Sequence, residues 1–349
     1  MPRRLDILVP MYNEGQEVVK PLLDSIALQR QVNFDDIGVI ICCDGGSTEI
    51  TDEFMSQYPF HIEFHMCEHK GVSATRNACF DLSEAEYVSW ADCDDMYCDV
   101  CGLSIVYREM DSQPNQQELA MSGLTANQVG TGFDVLVSCF REETMGPNNE
   151  IVYINRDNDF TFCHGKYYKR QYLIDKNIRW RESLYIHEDS FFQILARECA
   201  APLRAKYCPM PFYLWCWRDQ SVCRHDPKYI LKTFVNMLES NDALVDEFTR
   251  RMMPDKANFY ATMMVIDTFY TLNKQDWVDN TNAEYREKTE RRFASYYRKH
   301  KAKWEAVPDA DKMMISQGIR QRSIQEGMLR EALTWDQWLA HIEEAYPEV

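Results

Sequence analysis

Along the first part of the chain, short continuous apolar runs alternate with stretches of helical spacing. Leu5–Pro10 (L-D-I-L-V-P) reads as a strand and passes into the polar turn Met11–Gly15. Val18, Val19, Leu22, Leu23, Ile26 and Leu28 then recur as one helix face. Ile37–Cys43 is a second apolar strand, ending in Asp44-Gly45-Gly46-Ser47-Thr48. A short helix over Thr51–Tyr58, a strand over His61–Cys67 and a helix opened by Gly71 follow, before a fourth strand at Tyr87–Ala91. Near-continuous apolar strands separated by helices predict an α/β fold, a Rossmann-like and mostly parallel sheet with helices on both faces.

Beyond this, the pattern predicts a helix over Cys98–Met110 and strands at Phe133–Phe140 and Ile151–Asn155. A helix over Ser190–Cys199 and an aromatic strand at Pro209–Trp217 come next. From about Pro227 only helical periodicity remains, as in Ile230, Phe234, Met237 and Leu238. The expected division is therefore an α/β domain over residues 1–226 and an all-helical C-terminal region over 227–349.

Ligands of open parallel sheets sit beyond the carboxyl ends of the strands. Three of the predicted strand ends carry polar sets: Tyr12-Asn13-Glu14, Asp44-Gly45-Gly46-Ser47 and Asp92-Cys93-Asp94-Asp95. Packed acids at the end of a buried strand are costly unless a cation neutralises them. Asp92 and Asp94 are two apart, so in extended backbone they project to the same side. Oxygen-only ligands suit Mg²⁺ or Mn²⁺. A solvated acidic turn is the competing reading of so short a motif.

Composition narrows the function classes. Of 349 residues, 45% are hydrophobic, and no apolar run approaches the ~20 residues that span a bilayer, so no membrane insertion is expected. Thirteen cysteines, an odd number spread through apparent core segments, point to reduced thiols and a cytoplasmic location. Met1-Pro2-Arg3-Arg4 leads straight into a strand, with no apolar signal region. A net charge of −17 disfavours general nucleic-acid binding. Arg286–Lys303, with eight Lys or Arg against two Glu and with Tyr296 and Tyr297 interleaved, is the one basic stripe. It reads first as the charged outer face of a helix.

The motifs occur in a telling order: I-L-V-P-M-Y-N-E, I-I-C-C-D-G-G-S-T, K-G-V-S-A-T-R-N, Y-V-S-W-A-D-C-D-D, H-G-K-Y-Y-K-R, H-E-D-S-F-F and P-F-Y-L-W-C-W-R-D-Q-S. In this order they resemble the family 2 glycosyltransferases of the nucleotide-sugar-binding GT-A fold, over about two-thirds of the chain. The resemblance implies a metal-dependent, inverting transfer of a sugar from a nucleoside diphosphate, with UDP expected, to a hydroxyl acceptor. Pro10, Tyr12 and Glu14 would line the nucleoside pocket and Asp44 would read the base. Where the family commonly has two acids, this chain has Cys43-Asp44. Arg76 and Asn77 would reach the diphosphate or brace the pocket. Asp92 would contact ribose or metal-bound water, Asp94 would ligate the metal, and His225 could add a third ligand with Arg224 on phosphate. Glu188 and Asp189 match the acidic pair at a helix start, with Asp189 the general base. A helix N-terminus favours the ionised carboxylate, and removal of the acceptor proton needs one. Without the family, a helix-capping acid is the plainer reading.

Two clusters invite other readings. His61, His65, Cys67 and His69 share one strand face, yet no second ligand pair stands at zinc-finger spacing. Cys98-Asp99-Val100-Cys101 is a lone C-x-x-C and reads as packed thiols. A nucleotidyltransferase would want a Gly- and Lys-rich loop where M-Y-N-E-G stands, and a non-catalytic sugar-nucleotide-binding module would not need Asp189. The acceptor is open between a glycan, which is expected, a protein and modified DNA. The helical region is expected to serve as an acceptor platform or as the contact of a homodimer.

Overall fold

The computed structural model describes residues 2–48, 50–219, 221, 226, 228–327 and 333–347. The chain forms two compact units that divide between Asp219 and Gln220. The first runs β1 (Leu5–Met11), α1 (Gln16–Ala27), β2 (Ile37–Cys43), α2 (Asp52–Met55), β3 (His61–Met66), α3 (Val72–Leu82) and β4 (Tyr87–Trp90). It continues through β5 (Met96–Tyr97), α4 (Gly102–Asp111), α5 (Gln116–Ser122), α6 (Ala126–Val129), β6 (Val135–Met145), β7 (Ile151–Arg156), β8 (Lys166–Lys169), α7 (Arg170–Asp175), α8 (Glu188–Cys199) and β9 (Ala205–Trp215).

The strands make one sheet in the order β3-β2-β1-β4-β8-β6-β9-β5, with β7 paired to β6. The first four are parallel, as the apolar runs of β1, β2 and β4 predict, while β3 at the edge is more polar. β1 and β2 are buried at every residue. Val19, Leu22, Leu23 and Ile26 of α1 are the face closed into this core. Past β4 the sheet becomes mixed: β8 is antiparallel to β4 and to β6, β9 runs parallel to β6, and β5 is antiparallel to β9. The short strands β5 and β8 and the helices α5 to α7 carry little periodicity, and the sequence pattern misses them. This GT-A-like sheet covered by helices, followed by a helical region, is the fold class expected from the sequence.

The second unit contains α9 (Tyr229–Arg250), α10 (Pro254–Leu272), α11 (Gln275–Val278), α12 (Ala283–Glu305), α13 (Asp309–Gln325) and α14 (Trp335–Ala345). Its core gathers Leu238, Ile266, Phe269, Phe293, Trp338 and Ile342. Phe293 and Trp338 stack with ring centroids 4.9 Å apart. Much of the basic stripe on α12 is paired with neighbouring acids. Arg286 pairs with Glu290 at 2.8 Å, Arg292 with Glu239 at 3.5 Å and Lys301 with Glu343 at 2.8 Å. Lys299 lies 2.9 Å from Asp242 and 2.5 Å from Asp246, and Arg298 donates to the carbonyl of Glu343. These are the ion pairs of a helix face, as the plainer reading of the stripe has it.

Phe293 is fully enclosed. Phe293→Ala should cost about 3–5 kcal/mol, the usual range for an aromatic-to-alanine change in a core. Urea denaturation followed by circular dichroism should show that loss, and a change under ~1 kcal/mol would mean that the helical core closes differently.

Candidate active site

The residues at the carboxyl ends of β1, β2 and β4 are drawn together by backbone hydrogen bonds. The Asp44 amide donates to the Met11 carbonyl at 2.8 Å, and the Ala91 amide to the Leu8 carbonyl at 3.0 Å. Gly45 and Gly46 then take φ of +79° and +91°, a region in which other residues are strained, and the loop turns back beside Asn13 and His69. Asp44 is buried, and its carboxylate accepts the amides of Lys70 (2.8 Å) and Gly71 (2.9 Å). It thereby ties the end of β2 to the start of α3. His69 lies 3.1 Å from the same carboxylate and stacks on Tyr12 at 5.0 Å. Glu14 accepts the Tyr12 amide at 2.6 Å, and Pro10 is buried in β1 opposite Cys42.

Arg76, on α3, is buried beneath the acids. Its Nη1 donates to Asp189 at 2.7 Å and to Glu188 at 2.9 Å, and its Nη2 lies 3.6 Å from Asp92. The guanidinium stacks on Trp180 at 4.3 Å, and Trp180 stacks in turn on Phe192 at 4.3 Å. Asn77 grips the Trp180 backbone, donating to its carbonyl at 2.9 Å and accepting its amide at 3.0 Å. Asn77 thus braces the site from below. Asp189 also accepts the Cys163 amide at 3.2 Å. The acidic pair opens α8 from His187, whose φ of +65° turns the chain into the helix.

Burial and the neighbouring Asp189 raise the Glu188 carboxyl to about 7, with Arg76 opposing. The expected help from the helix N-terminus is outweighed at Glu188, where desolvation dominates. Burial likewise raises Asp92 to about 6; Arg76 pulls it down while Asp94 and Asp189 push it up. Burial also lowers His187 to about 4, so its ring is neutral.

Asp92, Asp94 and Asp95 bring carboxylate oxygens within 4.8 Å of one another. Asp95 turns inward, accepting from the Tyr213 hydroxyl at 2.8 Å and from the Cys216 amide at 2.9 Å. Its burial, beside Asp92 and Asp94, raises it well above the carboxylate range. The same Tyr213 oxygen accepts the Asp92 amide at 3.1 Å, which fixes the acidic turn against β9. Asp92 and Asp94 keep partly exposed carboxylates. Two carboxylates with no softer donor exposed beside them among the described residues fit a hard divalent cation. A second cluster, Asp92, Cys163 and His164, is buried among rings: His164 stacks on Tyr213 at 5.4 Å and on Trp215 at 5.1 Å. His225 and Arg224 lie outside the described residues.

Four residues here escape the sequence reading. Arg218 sets its Nη1 2.7 Å from Asp94 and 4.0 Å from Glu14. Trp180, Cys163 and Tyr213 hold Arg76, Asp189 and Asp92 as described above. Only Arg218 and Tyr213 stood inside a motif, in the aromatic stretch that ends W-R-D-Q-S. His61 and His65 both turn to Glu63, at 2.7 and 3.1 Å, while His69 turns to Asp44. Cys98 and Cys101 are free thiols, as is every described cysteine.

The model of glycosyl transferase family 2 matches residues 6–175, from β1 into α7. Residues 6–175 are a family 2 glycosyl transferase region. Among the relatives of this chain is the minor teichoic acid biosynthesis protein GgaB of Bacillus subtilis (strain 168), 24% identical over 189 residues. That alignment covers 53% of this chain, which spans only 20% of the length of GgaB. Among solved structures, the fold is similar to residues 1–349 of S. aureus TarS, with a TM-score of 0.56, 15% identity and coverage of 94% of this chain and 93% of that one. No helix among the described residues is long and apolar enough to cross a membrane.

Raising the Glu188 carboxyl from its ordinary 4.5 to about 7 makes stability pH-dependent. The protonated form carries the stabilisation, which is complete below about pH 4.5 and lost as pH rises through 7. Glu188→Gln keeps the neutral form at every pH. Its melting temperature, without added metal, should therefore fall less than that of the wild type between pH 5 and pH 8. Parallel profiles would mean that Glu188 is already ionised in the folded protein.

Proposed function

We propose that the domain transfers a sugar, with inversion, from a nucleoside diphosphate sugar to a hydroxyl acceptor, using Asp189 as general base. The observation that carries this reading is the meeting of Asp189, Glu188 and Asp92 on Arg76, next to the Asp92–Asp94 turn. A carboxylate held by an arginine and a backbone amide is oriented, as a base toward an acceptor hydroxyl must be. Glu188, near neutrality, would share the proton load of the pair.

Asp94 and Asp92 would hold Mn²⁺ or Mg²⁺, which supplies Lewis-acid neutralisation of charge on a departing diphosphate. Arg218, now on Asp94, is close enough to lend a second positive charge to the same phosphates. Tyr12 and His69 offer stacked, partly exposed rings for the nucleobase, with Glu14 and Pro10 beside them on β1. Asp44 remains our choice for the base-reading group and supports UDP as donor, since a carboxylate accepts the uracil N–H. Its bonds to Lys70 and Gly71 hold it ready at that edge. The acceptor we favour is a glycan hydroxyl, in keeping with a relative named for teichoic acid biosynthesis. The ion pairs along α12 count against nucleic acid at that face.

A donor-hydrolysis screen of UDP-, GDP- and TDP-sugars with and without Mn²⁺ tests the donor and the cation together. Asp94→Ala should abolish metal-dependent donor binding, and Asp92→Asn should weaken it less. Full turnover of Asp94→Ala in EDTA would sink the metal assignment.

Asp189→Asn should leave UDP binding within about twofold and slow transfer by at least ~10²-fold. Were UDP affinity to collapse while the saturated rate held, Asp189 would belong to the donor pocket.

A further inference from the structure

The C-terminal unit contains a groove of about 820 Å³, built entirely from α10, the end of α12, α13 and the start of α14. Its size falls in the ~300–1,000 Å³ range of small-molecule sites. Phe269 and Trp304 form its apolar floor and are nearly enclosed. Trp335 meets Trp304 edge to face at 6.0 Å and 81°, and its own ring is only half-buried. One face of α13 supplies the opposite wall. Met313, Gln317, Gln321 and Ile324 recur there at spacings of four, four and three, all of them exposed.

Such a wall is odd for a free surface. A solvated helix face is normally charged, whereas this one mixes amides with large apolar side chains. The ionic groups at the groove balance. Asp309 is paired with Lys312 at 3.1 Å, and Lys312 itself covers one face of Trp304 at 4.3 Å. Asp336 and Arg320 offset each other in sign.

We propose that this groove binds a neutral saccharide segment. An aromatic ring covers the C–H face of a pyranose, and side-chain amides both donate to and accept from its hydroxyls. Trp335 is the stacking platform, and Gln317 and Gln321 read the hydroxyls. The balanced charge removes the attraction that a polyanion would need. The inference deepens the glycosyltransferase reading by giving the acceptor glycan a second point of attachment, yet its test involves no transfer.

The experiment is calorimetric titration of the full chain with cellotetraose, chitotetraose and maltotetraose, with dextran and dextran sulfate as competitors. At least one tetrasaccharide should bind with Kd of about 1 mM or tighter. Trp335→Ala and the surface double variant Gln317→Ala/Gln321→Ala should each weaken it at least tenfold, with UDP affinity unchanged. Should Trp335→Ala fail to fold, the double variant decides. Three results would overturn the proposal: no tetrasaccharide bound at 10 mM, equal binding by wild type and variants, or displacement by dextran sulfate rather than dextran. A chain that binds saccharide but no UDP would remove the donor reading and leave the groove standing.

Discussion

One buried guanidinium holds the candidate active site together. Arg76 is the cation that Asp189, Glu188 and Asp92 share, and without it three carboxylates would face one another in a poorly solvated space. Removing one partner of such a set costs about 3–5 kcal/mol, because the charges left behind stay buried. The rest of the unit is arranged to keep Arg76 in place. Trp180 lies under its plane, Asn77 fixes the Trp180 backbone, and the Trp90 indole donates to the Arg76 carbonyl at 3.2 Å. The aromatic cluster of Phe80, Trp90, Tyr168, Trp180 and Phe192 therefore does more than fill space. It turns hydrophobic burial into the position of a charge.

Two further ties extend this order outward. Asp44 clamps the residues before α3, so the end of β2 and the helix that carries Arg76 are tied together. Tyr213 bridges Asp95 and the Asp92 amide, and the Cys216 amide, Trp217 amide and Arg218 side chain reach Asp95, Glu143 and Asp94 in succession. Tyr213, Cys216 and Arg218 thus stitch the end of β9 to the acidic turn across 118 to 124 positions, and Trp217 ties it to β6 across 74. These contacts depend on the mixed half of the sheet.

That dependence explains what the sequence could and could not yield. The parallel half was legible because β1, β2 and β4 are buried on both faces and read as apolar runs. The polar sets at their ends followed from the rule that such sheets bind ligands there. Asp92, Asp94, Glu188 and Asp189 stood out as acids beside apolar segments. Arg76 was visible as a residue but not as a hub, since its partners lie as much as 113 positions away. Trp180 and Cys163 sit in segments without periodicity, where nothing local distinguishes a structural side chain from a supporting one. Arg218 belongs to a motif, but its pairing with Asp94 exists only once β9 has met the acidic turn.

Charge balance carries the proposed reading one step further. Glu14, Asp92, Asp94, Glu188 and Asp189 share Arg76 and Arg218 as the cations described in contact with them. Protonation near neutrality relieves part of this excess at Glu188 and Asp92, yet the site stays negative where a diphosphate would have to enter. Two like charges 4 Å apart repel by roughly 4 kcal/mol at an effective dielectric of 20. On the proposed reading, a nucleoside diphosphate and a divalent cation would bind with positive linkage, each removing the repulsion that opposes the other. Arg218 is the pivot of that linkage. It pairs with Asp94 at 2.7 Å, and on the proposed reading a cation taking over Asp94 would turn the guanidinium to the incoming phosphates.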